Sequence, residues 1–199
     1  MRWYMPCIFR EESHMTKYLL NDRECMLLVV DIQERLYAAM EEGFREVFLK
    51  NAGILLETAK VFSLPVMVSE QYPKGLGITI PEVAGRMTGM PRYEKLTFSC
   101  YRDPAIQSAM DASERKTVIV TGIETHVCVF QTVLDLLMAG YRVIVADDAV
   151  CSRRPHDRQT ALLEMGRAGA LVYSTEMISF MLLEKAGTVQ FKQLSPLFR

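Results

Sequence analysis

The chain has 199 residues, 50% of them hydrophobic and 24% charged, with a formal net charge of −1. That length and balance suit one ordinary domain with a substantial core, and the near-neutral charge excludes a basic nucleic-acid surface or a long solvated charge block. No apolar run approaches the roughly 18–20 residues of a membrane span, so the expected partner is a small molecule, with no nucleic acid and no membrane.

The N-terminal stretch MRWYMPCIFREESHM lacks the apolar region and cleavage site of a secretory signal. It is read as an extension, residues 1–20, ahead of a domain over 21–199, with Met15 as an alternative start to Met1. The cysteines Cys7, Cys25, Cys100, Cys128 and Cys151 are odd in number and form no C-x-x-C pair. They read as free thiols in a reducing cytoplasm. Of the histidines His14, His126 and His156, only His126, two before Cys128, stands near another metal-ligand type. No metal and no cofactor are expected from so few donors.

Short β-type runs then alternate with helical stretches. The predicted strands are 26–31 (MLLVVD), 65–70 (PVMVSE), 94–98 (EKLTF), 117–122 (TVIVTG), 142–148 (RVIVADD) and 171–175 (LVYST). Several are near-continuous Val/Ile/Leu runs, the mark of strands covered on both faces. Between them, 45–62 carries apolar residues at helical spacing. Asp103-Pro104 reads as a cap and first helical position for 104–114. Thr125 is the expected cap of a helix to Met138, with Gly140 beyond its end. Pro155 opens another helix, and Ser174 or Thr175 caps the last. This alternation predicts an α/β fold, a three-layer sandwich with a six-stranded, mostly parallel sheet flanked by helices. The Gly- and Pro-rich connection 71–93 is long enough to suggest a functional loop, shaped by Gly75 and Gly77.

In open parallel sheets ligands bind at the carboxyl ends of the strands, which directs attention to three residues. Asp31 follows LLVV, and either caps the next turn or serves chemistry. Lys95 interrupts a β-type segment, and either points to water from an edge strand or pairs, buried, with a carboxylate. Cys128 falls in the first turn of a helix after a strand. There it is a small buried hydrophobe, or a thiolate favoured by free N–H groups and the helix dipole.

Together LLVVDIQERL, SEQYPKGLG, EKLTFSC and VIVTGIETHVCVFQTVLDLLMAGYRVIVADDAVCSR resemble, in order, the motifs of the isochorismatase-like cysteine hydrolases, over about residues 24–185. SEQYPKGLG and GIETHVCV are most similar to the uncharacterised isochorismatase-domain hydrolases. The resemblance implies a catalytic triad of Asp31, Lys95 and Cys128, with Asp31 as general base and Cys128 as nucleophile. It also implies a cis peptide between Ile123 and Glu124, and an oxyanion hole from the backbone N–H groups of Glu124 and Cys128.

Two departures narrow the chemistry. The family's nicotinamidases hold a metal through histidines after the second strand, where this chain has SEQYPKGLG. True isochorismatases lack the cysteine. A metal-independent cysteine hydrolase of a small amide or related acyl compound is what remains. Gln33, Leu36, Tyr72, Phe98 and Ile123 are candidate pocket residues, each with core packing as the alternative, and for Gln33 a backbone hydrogen bond. A homo-oligomer, dimer or tetramer, is expected by resemblance, with the C-terminal VQFKQLSPLFR and the segment around Trp3 and Tyr4 as contacts. The competing reading is a non-catalytic or redox-responsive oligomer that binds a metabolite.

Overall fold

The apolar run after Glu24 forms β1 (Cys25–Val30), buried throughout. Its residues alternate between two cores: Cys25, Leu27 and Val29 face one, and Met26, Leu28 and Val30 the other. A strand does this when helices cover both faces of its sheet. The computed structural model describes residues 18–199. Trp3, Tyr4, Cys7, His14 and Met15 lie outside the described residues.

After β1 come α1 (Glu34–Ala38), the long α2 (Glu42–Val61) and β2 (Val66–Gln71). The predicted long loop contains two short helices, α3 (Pro73–Leu76) and α4 (Pro81–Ala84), before the edge strand β3 (Arg92–Lys95). Then α5 (Pro104–Ala112) leads to β4 (Thr117–Ile123), and α6 (Phe130–Met138) to β5 (Arg142–Cys151). The described chain finishes with α7 (Pro155–Arg167), β6 (Leu171–Tyr173), α8 (Thr175–Leu183) and α9 (Val189–Leu194). Asp103 and Ser174 cap their helices as predicted, Asp103 accepting from the N–H groups of Ala105 and Ile106 and Ser174 from that of Met177.

The sheet has the order β3-β2-β1-β4-β5-β6, and every pairing is parallel. Phe48, Ala52 and Leu55 of α2 and Ile178 and Leu182 of α8 pack on one face. Ile106 and Met110 of α5, Val133 and Leu136 of α6, and Ala161 and Met165 of α7 pack on the other. The result is the expected three-layer α/β sandwich. The C-terminal apolar groups turn onto their own chain: Phe180 meets Phe191 and Phe198 edge-to-face at 6.3 and 5.5 Å, and Leu194 is buried. No helix among the described residues is long and apolar enough to cross a membrane.

Strand order reverses between β1 and β4, so the connections leave these neighbours in opposite directions and open a crevice at their carboxyl ends. Val30 pairs there with Gly122. A Cβ on Gly122 would stand 2.0 Å from the Val30 carbonyl oxygen, at a φ of +132°. The glycine is therefore required by close strand approach as well as by its turn. Gly122→Ala is expected to lose at least about 3 kcal/mol of stability, because backbone cannot move aside as a side chain can. Urea denaturation checks this; a loss below about 1 kcal/mol would show that the strands separate easily.

Candidate active site

Asp31 is the first residue beyond β1, and its φ of 51° turns the chain sharply. Asp is among the few non-glycine residues that tolerate that region. Its carboxylate does not cap the next helix. Oδ1 accepts from the Ser69 hydroxyl at 2.7 Å and Oδ2 from Lys95 Nζ at 2.7 Å. Gln33 occupies the cap position of α1 instead, without a side-chain cap bond.

Lys95 ends β3 and turns inward, so the water-facing alternative does not hold. Nζ reaches Asp31 Oδ2, Gln71 Oε1 at 2.7 Å, and the carbonyls of Thr97 and Phe98 at 3.2 and 3.1 Å. Both side chains of the Lys95–Asp31 pair are fully shielded from solvent. Burial works to discharge this lysine, but the Asp31 carboxylate beside it holds its pKa above the ordinary value.

Cys128 lies in the connection between β4 and α6. The peptide between Ile123 and Glu124 is cis, and Thr125–Val129 forms one π-helical turn. The N–H groups of Val127 and Val129 both donate to the Glu124 carbonyl, while the Cys128 N–H between them does not. Such widened turns recur at functional sites because they release backbone donors. Thr125 is not the cap: Glu124 takes that position, and the Thr125 hydroxyl is buried without a hydrogen-bond partner among the described residues.

The three triad candidates thus converge from the ends of β1, β3 and β4. All three are buried: Cys128 retains 5% exposure, Lys95 2% and Asp31 0%. The charges of both Asp31 and Lys95 act on the Cys128 thiol. Burial raises the thiol pKa, the Asp31 charge raises it further, and Lys95 only partly opposes them. Loss of solvent thus works against the thiolate that the helix terminus and the neighbouring ammonium favour. Alkylation by iodoacetamide is expected to be slower in the folded protein than in urea at pH 7–9, and to rise only above the ~8.5 of a free thiol. A reactivity plateau near pH 7, read by mass spectrometry of the Cys128 peptide, would refute that.

The candidate pocket residues divide. Tyr72 and Phe98 are 51% and 52% exposed. Ile123 is fully buried in the core, and Leu36 packs partly buried against it. Gln33 is committed to backbone: Nε2 donates to the carbonyls of Gln71 and Gly77 at 3.0 and 2.6 Å, and Oε1 accepts from the Gln71 N–H at 2.6 Å. It pins the 71–79 connection rather than facing a ligand. Gly77 has a φ of +80°, and a Cβ there would strike Glu34; at Gly75 the Tyr72 ring fills the Cβ position. A cleft of about 440 Å³ opens beside β3, lined by Tyr72, Lys74, Lys95, Leu96 and Thr97, and Cys128 is not in its wall.

Two residues were missed in the sequence. Ser69 and Gln71, two apart on β2, face the Asp31–Lys95 pair from one side of the strand, while Glu70 between them bonds Thr79. The signal was available: the apolar run of β2 gives way to Ser-Glu-Gln at its carboxyl end, and alternate residues of a strand share one face. Cys100 extends the network, its thiol donating to Ser69 Oγ at 3.3 Å. Thr132 Oγ1 accepts from the Cys100 N–H and donates to the Cys128 carbonyl. His126 Nδ1 lies 3.0 Å from Ser152 Oγ. Among the described residues no group of three or more His, Cys, Asp or Glu side chains can hold a metal ion.

The profile of the Isochorismatase domain matches residues 25–177. A Bos taurus protein named isochorismatase domain-containing protein 2 is 37% identical over 175 residues, 87% of this chain and 82% of its own length. The structure of a MAR1 ribonuclease from Caenorhabditis elegans superposes with a TM-score of 0.83 at 33% identity, covering 90% of this chain and 91% of that one. The Escherichia coli YcaC gene product, described as an octameric hydrolase of unknown specificity, shares the fold with a TM-score of 0.83 at 24% identity, covering 90% and 89%.

Proposed function

This chain belongs to the isochorismatase family, and on that premise we propose that it is a metal-independent cysteine hydrolase of a small amide or related acyl compound. The observation that carries the reading is the convergence of one thiol, one carboxylate and one ammonium at the sheet's switch point, with the carboxylate and the ammonium ion-paired at 2.7 Å. Asp31 takes the thiol proton as Cys128 Sγ attacks the substrate carbonyl. Proton transfer within the attack removes the need for a standing thiolate. Lys95 holds the Asp31 carboxylate in place through their ion pair and stabilises the anionic site during attack.

The tetrahedral oxyanion is received by the N–H groups of Glu124 and Cys128. When the C–N bond breaks, Asp31 returns the proton to the departing amine, leaving an acyl thioester on Cys128. Water then attacks the thioester, giving the carboxylic acid and the free thiol. The slight exposure of Cys128 limits the substrate to a small carbonyl compound. Ser69 and Gln71 act as positioning residues, fixing the carboxylate and the ammonium.

An RNA-cleaving role, as in the name of the nematode neighbour, lacks support: the net charge is −1 and the opening at Cys128 is narrow. The redox-responsive alternative is weakened by the raised thiol, since oxidation runs through the thiolate. A homo-oligomeric assembly and a reducing compartment belong to the same proposal. The test is a screen of small amides and esters by mass spectrometry. An acyl mass on the Cys128 peptide supports the reading; hydrolysis with the acyl group on another residue refutes it.

A further inference from the structure

We infer that Thr132 is a positioning residue for Cys128, a brace that fixes the nucleophile's turn to the segment surrounding Lys95; this rests on the cysteine hydrolase reading above. Thr132 lies on α6, one turn beyond Cys128, and is fully buried. Its Oγ1 donates to the Cys128 carbonyl at 2.6 Å and accepts from the Cys100 N–H at 2.9 Å. A threonine hydroxyl that bonds back to the preceding helical turn is a common local feature. The second bond, to a residue outside the helix, is what makes Thr132 a link between distant segments.

The segment it reaches also holds the other two members of the proposed triad. The carbonyls of Thr97 and Phe98 accept from Lys95 Nζ at 3.2 and 3.1 Å. Cys100 Sγ donates to Ser69 Oγ, which donates to Asp31 Oδ1. Residues 97–100 therefore touch the ammonium directly and the carboxylate through one hydroxyl, and Thr132 adds the nucleophile's backbone to the same segment. On the same side of α6, Asp135 accepts from Arg102 Nε and Nη2 at 2.7 and 3.0 Å, a second fastening. The Arg102 side chain is 60% exposed, so that outer pair contributes little. The buried hydroxyl is the part that solvent does not replace. Its removal takes a partner from the Cys100 N–H and from the Cys128 carbonyl, and lets the sulfur drift from the Asp31–Lys95 pair. A misplacement of about 1 Å at a reacting atom can cost about a hundredfold in rate.

Thr132→Val keeps the shape of the side chain and deletes the hydroxyl, while Thr132→Ser keeps the hydroxyl and deletes a methyl group. On a substrate found by acyl trapping, Thr132→Val is expected to lower kcat about 10- to 100-fold with KM changed less than about threefold. Thr132→Ser is expected to retain at least about a third of the wild-type kcat. Thr132→Ala repeats the deletion should Thr132→Val not fold. A purely structural threonine gives another pattern: lower urea midpoints, but kcat per folded molecule within about twofold of wild type. That pattern, or equal loss of kcat with and without the hydroxyl, overturns the brace.

Alkylation of Cys128 by iodoacetamide separates this from the hydrolase reading, because it needs no turnover. Burial and the Asp31 charge both oppose the reactive thiolate. Loosening the sulfur from that setting is expected to speed alkylation at pH 8 at least about threefold in Thr132→Val and less than about twofold in Thr132→Ser. Faster alkylation of Thr132→Val, with no acyl thioester from any amide or ester, leaves the brace standing and removes the hydrolase. Unchanged alkylation and unchanged kcat, beside normal thioester formation on Cys128, do the reverse.

Discussion

Cys128→Ala is expected to reduce hydrolysis by at least about a thousandfold, to the background of the assay, because no second nucleophile occupies its place. The nearest sulfur, Cys100, is fully buried and donates its hydrogen to Ser69. Stability should change little by comparison, by about 1 kcal/mol, since a small side chain is shortened without leaving a buried charge. Asp31→Asn should produce a similar loss of rate by a different route: the amide cannot take the thiol proton. Steady-state rates on any amide found in the acyl-trapping screen, with urea midpoints as the control for folding, check both variants. Turnover by Cys128→Ala within tenfold of wild type would end the cysteine mechanism.

Lys95→Met is expected to abolish activity and also to destabilise the protein by about 3–5 kcal/mol, the usual consequence of leaving one member of a buried ion pair alone. Methionine is close in length to lysine, so packing is nearly retained and the effect falls on electrostatics. The loss is large against a typical domain stability of about 5–15 kcal/mol. The Thr97 and Phe98 carbonyls and Gln71 Oε1 also lose their donor. Combining Lys95→Met with Asp31→Asn removes both charges and should recover part of the stability but none of the activity. Urea denaturation of the two single variants and the double variant gives the coupling directly. A coupling near zero would mean that Asp31 and Lys95 do not depend on each other.

Most of the architecture was legible from the residues. Unbroken apolar runs marked strands buried on both faces, and Asp103 and Ser174 marked helix starts. The structure shifts β3 from the predicted 94–98 to Arg92–Lys95. Apolar periodicity alone does not show that the carbonyls of Thr97 and Phe98 fold back to surround the Lys95 ammonium, which ends the strand early. The helix after β4 likewise starts differently from its capping signal. Thr125 has the right side chain, but the cis peptide and widened turn place Glu124 at the cap. Gln33 and Ile123 looked like pocket residues because they neighbour the motifs, whereas their side chains serve backbone and core.

The chain's own order of residues determined the layers, the strand count, the family and which three side chains deserved attention, since hydrophobic periodicity and local turn chemistry are short-range properties. Only the tertiary structure decided that a carboxylate from β1, an ammonium from β3 and a thiol from beyond β4 share one solvent-poor space. It also decided that Ser69, Gln71 and Thr132 fasten that space. These arrangements depend on contacts between segments far apart in the chain, and on the dielectric that burial creates. The same burial raises the Cys128 thiol pKa, against the thiolate that a helix terminus by itself favours.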